Sequence, residues 1–177
     1  MLEKIRLIDR FTETVGKTVR WFALLMVILT CLVVALRYVF YVPSVALQES
    51  VSYLHAALFM LGAAYTWQQG GHVRVDVFYH SMSRQKQHWV DRLGIIFLLF
   101  PVCLFMLYSS WEYVSIAWQI GEKSQEAGGL PFVYLLKTLI LVMPLLMLIQ
   151  AVAELLRTFL PETVQKTHTA SKEVHHG

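Results

Sequence analysis

Four long apolar runs, separated by short polar stretches, dominate the pattern of this chain. They cover residues 21–40, 47–68, 89–118 and 131–159, within a residue or two at each end. A helix needs about 20 predominantly apolar residues to cross the hydrocarbon core of a bilayer, and each run reaches that length. The pattern therefore predicts an all-α integral membrane protein with four transmembrane helices, which form a single domain over residues 1–160.

The first 20 residues follow a different pattern. Their apolar residues recur every three or four positions, at Leu2, Ile5, Ile8, Phe11, Val15 and Val19. Basic residues fall mostly between them, which predicts an amphipathic helix with a basic polar side. Such a helix either lies on the membrane surface, docks on a partner or simply leads into the first transmembrane helix.

The second apolar run stands apart because it is rich in small residues such as Ser52, Ala56 and Gly62. Small residues let helix backbones approach closely in lipid, so this helix is predicted to be the interior one of the bundle. His55 is its only ionisable residue away from the ends. The simplest interpretation of His55 is a packing residue that is hydrogen-bonded inside the bundle.

Two polar segments complete the predicted organisation. Residues 69–88 are polar and basic but contain several valines and a phenylalanine, which predicts a loop that lies on the cytoplasmic membrane surface. Residues 161–177 are polar and lack periodicity, which predicts a disordered tail.

Composition and charge agree with a location in the membrane. Only 15% of the residues are charged, against about 25% in ordinary soluble domains, and the mean hydropathy is +0.53. The net charge of +3 is too small to indicate binding to nucleic acid. All basic residues except Arg37, Lys123 and Lys137 fall on one side of the four-helix arrangement. The positive-inside rule therefore predicts that both termini and the 69–88 loop are cytoplasmic.

The sequence contains no motif of a known catalytic or metal site. Cys31 and Cys103 both lie inside apolar runs, so they are predicted to be free packing thiols. No carboxylate falls at the middle of a predicted span, where a stand-alone ion-coupled carrier would need one. We therefore expect neither an enzyme nor a self-sufficient exporter, and we expect no metal and no cofactor.

Charged residues at the ends of the first two runs form the main candidate site. Arg37 and Glu49 flank a short outer turn, where they can pair as a clamp or contact an outside partner or a lipid head group. His72, Arg74 and Asp76 alternate along the chain after the second run, and a loop anchored by ion pairs is the simplest interpretation. The predicted outer side also carries a mixed polar and aromatic surface suited to a protein partner, formed by Trp111, Glu112, Glu122, Lys123 and Glu126.

These features together resemble the small membrane subunit, the DctQ-like subunit, of tripartite ATP-independent periplasmic (TRAP) transporters. The similarity extends from about Trp21 to Arg157. Arg37 closes the first helix and Glu49 opens the second, as in that family. The stretch from Gly71 to Asp76 is the most specific match. Gly129, Leu130 and Pro131 before the fourth helix also fit. The runs Glu126–Pro131 and Tyr134–Lys137 are similar to the branch of the family often grouped with 2-oxo acid, mannitol and chloroaromatic systems.

The resemblance implies an auxiliary role in the bacterial inner membrane. A large membrane subunit would carry the substrate and sodium sites, and a periplasmic binding protein would deliver an organic acid to it. The small subunit would brace the large one and extend the docking surface, with Lys137 among its interface residues. Membrane lipids would surround the assembly.

A membrane anchor of a respiratory oxidoreductase, holding haem or quinone, is the alternative function. Haem bound by two histidines would need a second histidine facing His55 at the same depth. The other six histidines fall in segments predicted to be cytoplasmic, which disfavours this alternative.

Overall fold

A computed structural model describes residues 2–71 and 82–158, and every regular element within those ranges is helical. The helices are α1 (Leu2–Tyr38), α2 (Val45–Gln68), α3 (Arg84–Leu93), α4 (Phe100–Ile120) and α5 (Val133–Thr158), and a π-helical turn (Gly94–Leu99) joins α3 to α4. The predicted all-α class is confirmed. His72, Arg74, Asp76 and the tail from residue 161 lie outside the described residues, as do residues 72–81, which are half of the predicted 69–88 surface loop.

Three helical stretches in the described ranges are long and apolar enough to cross a membrane. They are α1, the continuous stretch Gln85–Ile120, and α5. α2 has 24 residues and is therefore about 36 Å long, which would also suffice. No membrane-length stretch of α2 is as apolar as the best one in each of the other three, because glutamine, glutamate, serine and histidine interrupt its apolar residues.

α1 joins the predicted amphipathic segment and the first membrane helix into one unbroken helix. Its 37 residues span about 55 Å, whereas the hydrocarbon core of a bilayer is about 30 Å thick. The N-terminal segment is therefore a lead-in to the first span, the plainer of the interpretations that the sequence allows.

The buried side of this lead-in differs from the predicted apolar stripe. Ile5 and Val19 are buried as expected, but Phe11 remains 49% exposed. Asp9 and Thr12 are buried instead, and Gly16 lies between them and Val19 on the same face. The difference arises because polar side chains of α2 and α5 face this side of α1 and bind Asp9 and Thr12.

A close contact between α1 and α2 requires glycine at position 16. A Cβ atom added to Gly16 would lie 2.1 Å from Cγ of Tyr65, far inside any normal contact distance. The two helices can therefore approach this closely only because Gly16 has no side chain.

α5 is the central helix of the bundle. It packs against α1, α2 and α4, while α2 packs between α1 and α5. α2 therefore has neighbours on two sides, but it has fewer buried residues than α5. The interior position that the small residues of α2 predict is thus held by α5. Both cysteines are free, and Cys103 is buried whereas Cys31 is exposed.

Candidate functional site

The ends of α2, α4 and α5 that the charge pattern predicts to be the outer ones meet at a loop that spans residues 121–132. α2 begins after Ser44, whose side-chain oxygen accepts a hydrogen bond of 3.4 Å from the N–H of Leu47. α4 ends at Gly121, which adopts the left-handed conformation with φ of 57° that favours glycine. These two local signals set where α2 begins and where the loop after α4 begins.

Glu49 closes this loop. One carboxylate oxygen accepts a hydrogen bond from the Ser124 hydroxyl, and the other accepts one of 2.6 Å from the N–H of Leu130. The Ser124 N–H in turn donates to the carbonyl of Leu130 at 3.0 Å. Hydrogen bonds to a charged acceptor are the stronger kind, so Glu49 fixes the loop backbone from the neighbouring helix.

Gly129 makes room for this arrangement. A Cβ atom added there would lie 2.3 Å from the Ser124 hydroxyl oxygen and 2.8 Å from a carboxylate oxygen of Glu49. The glycine that precedes Leu130 in the sequence is thus required by the close approach of the Glu49 side chain.

The structure does not pair Arg37 with Glu49. Among the described side chains, no ion pair joins them, and the guanidinium group of Arg37 lies 5.9 Å from the ring centre of Tyr38 on an exposed surface. Both carboxylate oxygens of Glu49 already bind the loop, which leaves Arg37 at the free end of α1. The predicted clamp on the first hairpin is therefore corrected to a clamp on the loop between α4 and α5.

Lys137 and Glu122, two residues that the sequence singles out separately, form an ion pair. Nζ of Lys137 lies 2.5 Å from Oε2 of Glu122 and 3.9 Å from the ring centre of Tyr113. Both charged side chains are largely buried, and the aromatic face adds a cation–π contact. This pair joins the end of α4 to the first turns of α5.

An aromatic contact supports the same junction. The indole N–H of Trp118 donates a hydrogen bond of 2.9 Å to the Thr138 hydroxyl, and its ring lies 4.7 Å from the ring of Tyr134. The two helices are thus held together by polar and aromatic contacts at the point where the loop begins and ends.

The remaining predicted docking residues stay exposed around this junction. Lys123 and Glu126 project from the fixed loop, and Glu112 lies on α4. Trp111 is 67% exposed and borders an open groove of about 630 Å³ together with Tyr108 and Glu112. The arrangement can present charged and aromatic side chains on a rigid support, which suits recognition of a protein.

A second polar cluster at the other end of the bundle was not predicted from the sequence. Gln68 donates hydrogen bonds of 3.0 Å to the backbone carbonyl and to the carboxylate of Asp9. Arg157 forms ion pairs with Asp9 and Glu154. Asp9 and Gln68 are both buried.

Gln150 extends this cluster towards the middle of α5. It is completely buried, accepts a hydrogen bond of 3.0 Å from Thr12 and donates one of 3.2 Å to Glu154. The cluster of Asp9, Thr12, Gln68, Gln150, Glu154 and Arg157, here called the inner network, therefore ties α1, α2 and α5 together. A signal was present in the sequence, because Asp9 and Thr12 occupy core positions of the lead-in helix between Ile5 and Val19.

The described residues do not form a metal site. No group of three or more histidine, cysteine, aspartate or glutamate residues converges within ranges 2–71 and 82–158. The charged groups of both clusters instead bind one another or the backbone, so both are structural or partner-binding in character.

Comparison with known proteins decides the family. The model of the DctQ component of tripartite ATP-independent periplasmic transporters matches residues 26–160, well over half of the chain. The chain belongs to this family. The match includes Glu49, the loop of residues 121–132 that it binds, and most of the inner network. It confirms the resemblance that the sequence motifs indicate. No curated protein matches the chain. A transporter family gives no support to the respiratory anchor considered as an alternative.

Proposed function

We propose that this DctQ component is an auxiliary subunit without a transport site of its own. In this role it braces a large sodium-coupled membrane subunit and helps a periplasmic binding protein to dock, for the uptake of organic acids such as 2-oxo acids. The observation that carries the proposal is the outer loop, which Glu49 and the Lys137–Glu122 pair hold while Lys123 and Glu126 remain exposed.

The occupied carboxylates support an auxiliary role. A coupling carboxylate must be able to exchange its ion during transport. The carboxylates of Asp9, Glu49, Glu122 and Glu154, which are buried or half-buried, each bind an internal partner. These groups serve to hold helices and loops together.

A reconstitution experiment tests the proposal. Uptake of a labelled organic acid is measured in proteoliposomes under a sodium gradient, with this chain, the large subunit or the binding protein omitted in turn. We expect uptake only when all three are present. Uptake by this chain alone would refute the auxiliary role. Unchanged uptake in the absence of this chain would show that it is not needed for transport.

Membrane orientation has a separate test. We propose that the protein lies in the inner membrane with both termini cytoplasmic, because the basic residues concentrate on that side. In a Cys31→Ser background, which removes the exposed native thiol, Gln125→Cys should react with an impermeant thiol reagent from the periplasm. Ser83→Cys should stay protected until the membrane is opened. The reverse pattern would invert the orientation.

A further inference from the structure

The exposed residues of α2 all lie on one regular seam. Gln48, Ser52, His55, Phe59 and Thr66 are exposed, and every other residue of α2 is half-buried or buried. Successive members are four, three, four and seven positions apart, and Gly62 occupies the position between Phe59 and Thr66. We call Gln48, Ser52, His55, Phe59, Gly62 and Thr66 the α2 seam. Alternation of three and four positions is the spacing by which one helix packs along another.

The chemistry of the α2 seam differs from that of the lipid-like surfaces of the molecule. The large exposed side chains of α1 between Leu24 and Val34 are aliphatic, as in Leu24, Val27 and Ile28. Four of the six seam residues are polar instead, and of these the Thr66 hydroxyl is satisfied by a hydrogen bond of 3.0 Å to the carbonyl of Gly62. Polar side chains at membrane depth normally face protein or water and avoid lipid, because hydrocarbon offers them no hydrogen bonds.

His55 is the clearest case of a polar seam side chain that lipid could not satisfy. It is the eleventh residue of α2, about 16 Å along a helix about 36 Å long, and thus near mid-helix. Its ring stacks against Phe59 with 4.6 Å between ring centres, but among the described residues it makes no hydrogen bond. An imidazole in that position needs a hydrogen-bonding group from another molecule.

Gly62 adds room for close packing on the same seam. A Cβ atom added to Gly62 would meet no atom within 4 Å, so the position opens outward from the bundle. Gly16, in contrast, is filled by Tyr65 of the neighbouring helix. An outward glycine on a membrane helix allows the backbone of a partner helix to come close.

Resting on the proposed function, we infer that the α2 seam is the surface on which a transmembrane helix of the large membrane subunit packs. The partner helix places a hydrogen-bonding side chain opposite His55 and a small residue opposite Gly62. Phe59 then lies between the two helices, and the polar seam residues leave the lipid.

Photocrosslinking in the assembled complex tests the position of the partner. Benzoylphenylalanine replaces Phe59 on the seam or, as a matched control, Phe105 on α4, since the two side chains are 65% and 69% exposed. The complex of this chain with the large subunit and the binding protein is irradiated in lipid nanodiscs. We expect an adduct with the large subunit from position 59 and none from position 105. Adducts at position 59 with lipid only, or with a second copy of this chain, would overturn the inference, as would equal adducts from both positions.

Substitution of His55 tests the predicted hydrogen bond. His55→Leu should lower the amount of large subunit retained by the purified chain about three- to tenfold, the range expected for one hydrogen bond between membrane helices. His55→Gln, which keeps a donor and an acceptor, should restore most of the retention. Equal retention by the two variants would overturn the hydrogen bond. Failure of the unmodified chain to retain any large subunit would instead refute the proposed function, and the seam with it.

Discussion

The two ends of this bundle use charged residues for different purposes. At the inner end, the inner network is largely buried and joins three helices, mainly through contacts between side chains. At the outer end, Glu49 binds a loop backbone and leaves neighbouring side chains exposed. The contrast supports the proposal that the outer end presents a surface to a partner, whereas the contacts at the inner end hold the helices of the bundle together.

Helix length explains why both ends can be polar. α1 spans about 55 Å and the stretch Gln85–Ile120 about 54 Å, so both exceed the hydrocarbon core of a bilayer. The bundle therefore extends into the aqueous or interfacial region, where charged groups can be buried against protein without lying in hydrocarbon. Substitutions at the inner end should therefore lower the unfolding midpoint, whereas substitutions at the outer end should change the docking of the binding protein.

The largest effect is expected from Arg157→Ala at the inner end. This change leaves the buried carboxylate of Asp9 without its cation, and breaking a buried ion pair costs about 3–5 kcal/mol. Thermal unfolding of the purified chain in detergent should show a clearly lower midpoint. Lys17→Ala is the control, because its pair with Glu13 is much more exposed and should contribute about 0–1 kcal/mol. Equal losses in the two variants would contradict the structural role of the inner network.

A somewhat smaller effect is expected from Gly16→Ala, which introduces a Cβ atom against the ring of Tyr65. Overpacking of this kind typically costs about 1–3 kcal/mol. Gly62→Ala is the matched control, because its Cβ would meet open space and alanine favours a helix by about 1 kcal/mol. We expect Gly16→Ala to lower the unfolding midpoint and Gly62→Ala to leave it unchanged or higher. The opposite order would refute the close contact of α1 and α2.

The sequence predicts the helices well because their signals are local. Apolar runs, the Ser44 cap and the left-handed Gly121 all act within a few residues, so helix ends differ from the predicted ones by only a few positions. The lead-in helix is the exception in one respect, since its continuity with the first span depends on the absence of any break near Arg20.

Partners across the bundle were harder to predict, because they depend on which helices become neighbours. The sequence singles out Glu49, but the hydrogen-bond partners of Glu49 in the structure lie 75 and 81 positions away. The sequence favours a pair of Glu49 with Arg37, because Arg37 is nearer along the chain and opposite in charge, but the structure does not contain this pair. Asp9 and Arg157 are 148 positions apart, and only the packing of α1 against α5 brings them together.

At the outer end, Glu49→Ala should affect docking more than stability. The change removes two hydrogen bonds that hold the backbone and the Ser124 side chain of the loop, but it leaves the contacts between the helices intact, so the loss falls on the order of the loop. We expect the affinity of the binding protein for the reconstituted membrane subunits to fall about three- to tenfold. Glu49→Gln, which keeps one acceptor oxygen, should fall less. A lower unfolding midpoint with unchanged docking would assign Glu49 to the stability of the bundle.

The smallest effect is expected when the exposed charges of the outer loop are reversed. Lys123 and Glu126 project from the loop into solvent, so Lys123→Glu and Glu126→Lys should leave the unfolding midpoint unchanged. Charges at the rim of an interface act chiefly on the association rate and its dependence on salt. We therefore expect each reversal to change the association rate of the binding protein about two- to fivefold at low salt, and this difference should disappear at high salt.

The double variant, which restores the net charge of the loop, separates the effect of a general electrostatic field from that of specific contacts. A rate close to that of the unmodified protein would indicate the field, whereas rates unaffected by any of the three variants would exclude this loop from the docking surface.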